Sequence, residues 1–596
     1  MTVRRVAIST GPTESTVTIS ALGGTSLRSV ERVLSAAGVT GHIVRTSKKV
    51  YLTASDFSKS RDAFRGWDLE IDGKIERCVT LLARATDDII RQKEVIEDIL
   101  GKNPSATAID CIPDLVRLDA HQVQAVAVAT HPEIKGLCLF DEQGLGKTVM
   151  TLAAYHMLKQ AGDVTRLLVI APKNVVFEWV RDTERFFGSK YMAKPVVGTK
   201  REKRQGLNVH ADIYITNFET TVTLYYRLRD LLEAEQGKIL LVVDESFFVK
   251  NPGARRTRAI KGLRKSVERC IVLCGTPAPN SPHDIVEQFN IADGGVAFNG
   301  VSLPKEREEA RPVVQSIIRE RGLFIRRLKQ DVLPDLPGKT FHRLLLRMQT
   351  EQEAVYKAAL REYIQGLRSV SEMTFRKQLG TFMARRFALL QICTTPASVV
   401  TGYTEVPAKI LALDSILDEL ILKQKEKVIV WSFFTASLDN IYKRYARFHP
   451  IRFDGTIVNP IDRKNAVRDF QEDDRSMLFV ANPAAAGAGL TLHRARYAIY
   501  ESLPVQAAHY FQSLDRIHRR GQLRPVEYLV LLCDRTIELN EYERLVKKEK
   551  SAHKLLGDVA AELVTRTALL QEAVEAAHLV GLLGSGEIRP EGGRDA

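Results

Sequence analysis

The chain has 596 residues, of which 45% are hydrophobic and 27% are charged, a balance typical of soluble globular proteins. A single core does not extend over such a length, so about three or four domains are expected. The net charge of +14 favours a polyanionic partner. No apolar run reaches the roughly 18 residues of a membrane span, and the 7 dispersed cysteines lack the paired spacing of a zinc site.

Residues 1–113 have the pattern of a small α/β domain. The segments RRVAIST and STVTISA alternate like strands, and SLRSVERVLSAAG has helical spacing. A long amphipathic helix is predicted for KIERCVTLLARATDDIIRQKEVIEDILG. The stretch GKNPSATA, rich in turn-forming residues, predicts a linker to the next domain.

Two sets of short apolar runs predict two buried parallel sheets in tandem, and therefore an α/β fold with two lobes. Residues 114–338 carry GLCLFD, RLLVIAP, ADIYITN, ILLVVDE and CIVLCGT. Residues 406–547 carry KVIVWS, IRFDG, SMLFVAN, YAIYES and VEYLVLL. Helical patterning predicts an insertion in the first lobe at about 281–325, another at 339–405, and a helical tail at 548–596.

A glycine loop between the first of these runs and a helix predicts a phosphate site. Its core consists of Gly144, Leu145, Gly146, Lys147 and Thr148. Glycines let backbone N–H groups turn toward phosphate oxygens, and the helix N-terminus points at the same anion. In this pattern Lys147 contacts the β- and γ-phosphates of ATP, and Thr148 binds Mg²⁺.

Asp141 breaks the strict pattern G-x-x-x-x-G-K-[ST], which places a glycine at that position, while the strand–loop–helix context is intact. Further along, Asp244 and Glu245 end an apolar run. An aspartate there binds Mg²⁺, and the adjacent glutamate orients or deprotonates the attacking water. Together with the glycine loop, this carboxylate pair predicts ATP hydrolysis.

The segment QSLDRIHRRGQ adds positive charge to the second lobe. Arg516 and Arg519 stand three residues apart, which on a helix places them on one face. Two arginines so placed can reach a γ-phosphate and stabilise transition-state charge as arginine fingers.

The order of these motifs resembles that of superfamily-two helicases and, within them, of Swi/Snf-like DNA translocases. DEQGLGKT is similar to motif I, which in this family tolerates the absent first glycine, and LVIAPKNVVFEW is similar to motif Ia. LCGTPAPN resembles motif III, AAAGAGLTL motif V and QSLDRIHRRGQ motif VI. The resemblance covers about residues 118–547 and implies two RecA-like lobes, with ATP between them and DNA crossing both.

The resemblance also implies roles for individual residues. Gln122, in LDAHQVQAVAVA, takes the adenine-reading position. The residues implied to lie near nucleic acid are Lys173, Thr216, Gly489 and Thr491. The residues implied to couple hydrolysis to movement are Phe247, Gly275, Thr276 and Gln512.

The acidic box departs from the family, because it is D-E-S-F instead of D-E-A-H. Phe247 cannot make the hydrogen bonds of that histidine, and Cys274 replaces a hydroxyl residue of motif III. We hypothesise that an apolar contact between Phe247 and Cys274 replaces the polar link. Phe247→His would then change the ATPase rate or its stimulation by nucleic acid.

The sequence therefore predicts a DNA-dependent ATPase that uses ATP and Mg²⁺. It would track on double-stranded or branched DNA and remodel protein–DNA complexes or junctions, as in DNA repair. Two alternatives stay open: a strand-separating DNA or RNA helicase, and an ATP-binding scaffold that docks on a transcription or repair complex.

Residues 1–113 would contribute a DNA contact or bind a protein partner. We expect a monomer without membrane attachment. No chromatin-reading module or basic nuclear-import cluster is evident, which favours the cytoplasm of a prokaryotic cell or of a virus-infected host cell.

Overall fold

The computed structural model describes residues 4–10, 16–37, 39, 42–44, 49–53, 57–58, 60–102, 118–173, 175–275, 277, 282–299, 301, 303–304, 306–457, 459–485, 490–555 and 566–582. The chain divides into two compact units, Met1–Arg327 and Leu328–Ala596. The sequence placed the end of the first lobe at residue 338, and the division falls before that position. Within the described ranges, no helix combines the length and apolar composition needed to cross a bilayer.

The first unit begins with a five-stranded sheet in the order β3-β4-β2-β1-β5. Its strands are β1 Arg5–Thr10, β2 Thr16–Leu22, β3 His42–Val44, β4 Lys49–Thr53 and β5 Asp68–Ile71. The helices beside it are α1 Leu27–Ala36 and α2 Gly73–Gly101, and a 3-10 turn covers Arg61–Phe64. Alternation in β1 turns Val6 and Ile8 inward to pack with residues of α1 such as Val30. This is the small α/β domain that the sequence predicted.

The long helix α2 reaches the lobe that follows it. The side chain of Gln124 donates to the carbonyls of Leu100 at 3.1 Å and Lys102 at 3.0 Å. Lys93, on the same helix, donates to the carbonyl of Arg319. The end of α2 is therefore hydrogen-bonded to two elements of the first lobe.

A seven-stranded sheet forms the first lobe, in the order β12-β6-β11-β10-β7-β9-β8, and its neighbouring strands pair in parallel. The strands are β6 Gly136–Leu139, β7 Arg166–Ala171, β8 Ala193–Val196, β9 Ile213–Asn217, β10 Ile239–Val243, β11 Arg269–Leu273 and β12 Phe324–Ile325. The helices are α3 Ala120–Thr130, α4 Lys147–Gln160, α5 Val176–Phe187, α6 Lys200–Asn208, α7 Phe218–Thr223, α8 Tyr225–Ala234, α9 Arg255–Arg264, α10 His283–Ala292 and α11 Arg307–Arg321.

Five of the seven strands coincide with the predicted apolar runs, because strands buried on both faces are apolar throughout. The other two, β8 and β12, lie at the sheet edges, where strands are short and tolerate proline such as Pro195. Their sequences carry no strong strand signal.

The second unit contains a six-stranded parallel sheet in the order β13-β18-β17-β14-β16-β15. The strands are β13 Lys339–Leu346, β14 Val428–Trp431, β15 Ile451–Phe453, β16 Leu478–Ala481, β17 Tyr497–Tyr500 and β18 Val526–Cys533. The two tandem parallel-sheet lobes and the N-terminal α/β sheet confirm the predicted fold class, which is α/β with two parallel-sheet lobes and a small N-terminal α/β domain.

The helices of the second unit are α12 Lys329–Val332, α13 Thr350–Arg368, α14 Glu372–Lys377, α15 Leu379–Ile392, α16 Ala408–Leu417, α17 Thr435–Arg444, α18 Pro460–Glu472, α19 Ala507–Leu514, α20 Ile537–Leu555 and α21 Arg566–Leu579. A π-helical segment, Asp418–Lys423, continues α16, and 3-10 turns cover Pro396–Ser398 and Ala446–Phe448.

Two parts of the second unit differ from the sequence prediction. The segment predicted as a helical insertion at 339–405 opens with β13, an edge strand whose residues are all exposed or half-buried. The predicted tail is part of a helical cluster, because α20 crosses residue 547 and α21 packs against α13 through residues such as Tyr356 and Leu569. Arg386 of α15 pairs with Glu572 of α21 at 2.7 Å.

Candidate nucleotide-binding and hydrolysis site

The predicted phosphate loop joins β6 to α4. Gly144 and Gly146 have φ values of +88° and +89°, a backbone region that glycine adopts without strain. Gly146 caps α4, and a Cβ on it would lie 2.4 Å from Nε2 of Gln122. Lys147 and Thr148 are thus the first two residues of α4, at the end where a helix binds anions.

The ammonium of Lys147 lies within the loop. Its Nζ donates to the carbonyls of Asp141 at 2.7 Å and Glu142 at 3.3 Å. Leu145 is 1% exposed, so the middle of the loop is anchored in the core. The loop residues therefore surround the ammonium that the sequence assigned to phosphate binding.

Asp141, the residue that breaks the strict pattern, is fully buried and paired with Arg327. The guanidinium donates to both carboxylate oxygens, at 3.1 and 2.6 Å. The same guanidinium donates to the carbonyl of His121 and, at 3.4 Å, to the side chain of Gln124. Asp141 therefore connects the start of the phosphate loop to Arg327, which follows β12, and through Arg327 to α3. Glycine has no side chain that could make this connection.

Gln122 is hydrogen-bonded at both ends of its carboxamide. Nε2 donates to the carbonyl of Leu145 at 3.1 Å, and Oε1 accepts from the backbone N–H of Asp119 at 3.0 Å in the capping box of α3. In this structure the side chain supports the phosphate loop. Its adenine-reading role stays a prediction.

The acidic pair follows β10. Oδ2 of Asp244 accepts from the indole Nε1 of Trp179 at 2.9 Å, and Oδ1 accepts from the backbone N–H of Glu245 at 2.8 Å. Burial raises the pKa of the Asp244 carboxyl above its usual value, and these two donors together with the charge of Lys147 offset part of that rise. The N–H donors therefore stabilise the ionised form that a cation requires.

Glu245 connects the acidic pair to the phosphate loop and to motif III. Nε2 of Gln143 donates to its Oε1 at 3.4 Å, and its φ of +47° lies in the left-handed region, which is strained for a residue with a Cβ. A Cβ on Gly275 would lie 2.3 Å from Cγ of Gln143. Gly275 is therefore needed for the close approach of these motifs.

The residues after the acidic pair form a 3-10 turn, Ser246–Val249. The ring of Phe247 stacks on Phe248 with centroids 4.5 Å apart, and Phe248 contacts Phe218 at 5.3 Å. Thr276, the other motif III residue predicted to act in coupling, lies outside the described residues.

In the second unit, the structure corrects one prediction. The helix α19 ends at Leu514, so Arg516 and Arg519 lie in the turns after it and do not share a helix face. They still converge, because both donate to the carbonyl of Leu490, at 3.2 and 2.9 Å. Gln512 is buried on α19, and its carbonyl accepts from Arg516 Nε at 2.7 Å.

Contacts made by the neighbours of the two arginines account for the early end of α19. Lys329 pairs with Asp515 and donates to the carbonyl of His518 at 3.0 Å. The ring of His518 is hydrogen-bonded to the carbonyl of Pro337 at 2.8 Å. These tertiary contacts override the helical spacing of the sequence.

The four residues predicted to lie near nucleic acid have different environments. Lys173 is exposed just after β7, at the edge of the sheet where β9 also ends. Thr216 is fully buried in β9, and its hydroxyl donates to the carbonyl of Val196 at 3.0 Å, which leaves the side chain no surface. The backbone carbonyl of Thr491 accepts from Gln471 at 2.6 Å. Gly489 lies outside the described residues.

Two family profiles match the chain in succession. The profile described as SNF2-related domain matches residues 121–398, and the profile described as Helicase conserved C-terminal domain matches residues 409–521. The chain belongs to the SNF2 family. The phosphate loop, the acidic pair and motif III lie in the first match, and Arg516 and Arg519 lie in the second.

Among SNF2 relatives, the chain is 23% identical to the DNA annealing helicase and endonuclease ZRANB3 of Mus musculus over 74% of this chain and 41% of that protein. It is 28% identical to the putative ATP-dependent helicase/translocase YwqA of Bacillus subtilis over 68% of this chain and 44% of that protein. The matches thus span less than half the length of these relatives. The SWI2/SNF2 ATPase core of Sulfolobus solfataricus in complex with dsDNA covers 78% of this chain and 100% of its own, at 21% identity and a TM-score of 0.36.

Sequence reasoning missed three side chains of this site. Trp179 holds Asp244, Arg327 holds Asp141, and Gln288 accepts a hydrogen bond from Ser246. Trp179 stands in the motif Ia segment and Arg327 in the segment FIRRLK, but nothing in either segment indicates which acid is its partner.

Proposed function

We propose that this SNF2 protein is a DNA-dependent ATPase that translocates on double-stranded DNA and remodels protein–DNA complexes or DNA junctions. The observation that carries the proposal is the convergence of three motifs in the first unit. Gln143 joins the phosphate loop to Glu245 of the acidic pair and lies close against Gly275 of motif III.

Each residue of the site has a proposed role. Lys147 binds the β- and γ-phosphates, and the N-terminus of α4 with Gly144 and Gly146 binds phosphate oxygens. Glu245 orients and deprotonates the attacking water. Arg516 and Arg519 stabilise the charge that develops on the transferred phosphoryl group.

The donor set fits Mg²⁺ with ATP. The hydroxyl of Thr148 and the carboxylate of Asp244 are hard oxygen ligands, and two N–H donors hold that carboxylate in place. Thr148 and Asp244 would hold Mg²⁺, which would supply positive charge against the phosphates of ATP.

Duplex DNA is the proposed track. A net charge of +14 supports binding to phosphates, and contacts to the backbone do not depend on base sequence. The relatives with helicase or translocase in their names also support a nucleic-acid motor. Lys173, Thr491 and Gly489 are proposed contacts, with Thr216 supporting the sheet edge beside them.

The wider organisation is proposed as well. Residues 1–113 form an accessory domain that adds a DNA contact or binds a protein partner, and the protein acts as a monomer. The proposed helicase lobes are residues 114–338 and 406–547, and the segment 339–405 adds the edge strand β13 and a helical insertion to the second lobe. Cytoplasmic location in a prokaryotic or virus-infected cell suits the free thiols of the described cysteines, such as Cys393 and Cys533.

The direct test is steady-state ATPase activity without nucleic acid and with single-stranded DNA, duplex DNA, branched DNA or RNA. We expect strong stimulation by duplex or branched DNA, and loss of activity in Lys147→Ala. Stimulation only by single strands or RNA would replace the proposal with a strand-separating helicase. An ATPase rate that no nucleic acid changes would replace the proposal with the ATP-binding scaffold.

A further inference from the structure

Ser246 stands where the D-E-A-H pattern has alanine, and it is fully buried beside the acidic pair. Its hydroxyl donates to Oε1 of Gln288 at 2.6 Å. An alanine would leave that buried carboxamide oxygen without this donor. The substitution in the box therefore adds a polar contact that its apolar neighbour Phe247 cannot make.

Gln288 extends this contact to motif III. It lies on α10 and is fully buried. Its Nε2 donates to the carbonyl of Pro277 and, at 2.9 Å, to the carbonyl of Asp284. Because carbonyls only accept and the Ser246 hydroxyl donates, the two ends of the carboxamide cannot exchange places.

The backbone of Gln288 adds a third connection. Its carbonyl accepts from Sγ of Cys138 at 3.9 Å, and Cys138 lies on β6, the strand that leads into the phosphate loop. The side chain and backbone of Gln288 thus contact the acidic box, motif III and the strand that leads into motif I.

We propose that Ser246 and Gln288 are positioning residues, which form a hydrogen-bond relay from the acidic box to Pro277 of motif III and so link the nucleotide state to DNA binding. The inference rests on the proposed function, because it assigns the coupling step of that motor. A shift of the turn Ser246–Val249 moves the hydroxyl of Ser246. Gln288 must then turn and lose its bond to Pro277, or pull Pro277 with it.

The relay replaces the link that the D-E-A-H histidine provides in the family. The ring of Phe247 stacks on Phe248, and a phenylalanine side chain has no hydrogen bond to offer motif III. A polar route therefore runs from the box through Ser246 and Gln288 to Pro277.

The test is a binding measurement. Wild-type protein is titrated with a non-hydrolysable ATP analogue in the absence and presence of saturating duplex DNA. The ratio of the two dissociation constants is the coupling factor, and linkage makes it equal to the effect of nucleotide on DNA affinity. The same titrations are made with Ser246→Ala, Gln288→Met and the double variant.

A matched control is Thr257→Val. Thr257 is also fully buried, and its hydroxyl donates at 3.0 Å to the carbonyl of Val249, at the other end of the same turn. Thr257 lies on α9, so this variant removes a buried hydroxyl that is hydrogen-bonded to the turn and leaves Gln288 unchanged. Urea unfolding of each variant shows how much folding free energy was lost.

We expect Ser246→Ala and Gln288→Met each to bring the coupling factor toward one by about threefold to tenfold, the value of one buried hydrogen bond. The double variant should lose no more than Gln288→Met, because both act on one route. Thr257→Val should keep the wild-type coupling factor, although it should lose a similar amount of the free energy of unfolding. If Gln288→Met does not fold, the coupling factor of Ser246→Ala is compared with that of Thr257→Val, and this comparison tests the relay.

The relay would be overturned if Ser246→Ala kept the wild-type coupling factor, or if the losses of the two single variants added in the double variant. The translocase proposal would stand in either case. A wild-type protein whose nucleotide affinity and ATPase rate ignore every DNA would overturn the proposed function itself, and the relay with it.

Discussion

The indole Nε1 of Trp179 donates to Oδ2 of Asp244 at 2.9 Å, so a residue of motif Ia holds a carboxylate of the acidic pair. Trp179 is 1% exposed, and the ring is fixed by burial on α5. The oxygen opposite, Oδ1, is held by the backbone N–H of Glu245. The carboxylate is thus oriented before any cation binds, which lowers the entropic cost of binding.

Trp179→Phe keeps the aromatic ring and removes the donor. We expect the Mg²⁺ concentration for half-maximal ATPase rate to rise about tenfold, because a hydrogen bond to a charged group is lost. The measurement is a Mg²⁺ titration at saturating ATP. Trp431→Phe, a change at a fully buried tryptophan of the other unit, is the control and should leave the titration unchanged. Equal shifts in both variants would contradict the role given to Trp179.

Asp141→Gly would restore the strict phosphate-loop pattern, yet we expect it to damage the protein. It leaves Arg327 without the carboxylate that it contacts at 2.6 Å in a buried site. Breaking a buried ion pair by removing one partner costs about 3–5 kcal/mol. Urea unfolding should show this loss, and the affinity for ATP should fall because the base of the loop is released.

The double variant Asp141→Asn with Arg327→Met tests the cause. It has no unpaired charge, so the free energy of unfolding should recover by more than half relative to Asp141→Gly. An Asp141→Gly protein as stable as wild type, with stronger ATP binding, would show that the ion pair does not support the loop.

Arg519→Ala should lower kcat for ATP hydrolysis by roughly a thousandfold with little change in KM for ATP, as removal of an arginine finger does. Arg519→Lys should recover only part of the rate, because lysine lacks the planar fork of donors. The neighbouring Arg520 is exposed, and Arg520→Ala is the matched control. A rate loss in Arg520→Ala equal to that in Arg519→Ala would remove the case for a specific finger.

Lys173→Ala should weaken DNA binding to the same degree for every base sequence. The slope of log K against log salt should fall by about 0.9, the value for one phosphate contact. Lys423 is a suitable control, since its charge is already paired with Glu419 at 2.8 Å. An unchanged slope in Lys173→Ala, measured by a salt titration on duplex DNA, would exclude Lys173 from the interface.

Much of this architecture can be predicted from the sequence. Strands that are buried on both faces are apolar throughout, and glycines mark a loop whose backbone has positive φ values. Gly144 and Gly146 illustrate the second case. What the sequence hides are partners brought together by folding. Asp141 and Arg327 are far apart in the chain, as are Ser246 and Gln288, and periodicity does not reveal such pairs.

Local patterns also fail where tertiary contacts prevail. The spacing of Arg516 and Arg519 predicted a helix, but the ion pair of Lys329 with Asp515 holds turns there. The edge strand β13 mixes polar with apolar residues and has no fully buried position, so it lacks the continuous apolar run that marks the central strands. The hypothesis of an apolar contact between Phe247 and Cys274 stays a prediction, to be tested by Phe247→His.

The most direct test of the central claim is displacement of a third DNA strand from a duplex on which the protein can translocate. We predict that wild-type protein with ATP and Mg²⁺ releases the third strand while the duplex stays paired, and that Lys147→Ala releases none. ATP hydrolysis without release of the third strand, or separation of the duplex itself, would contradict translocation on double-stranded DNA.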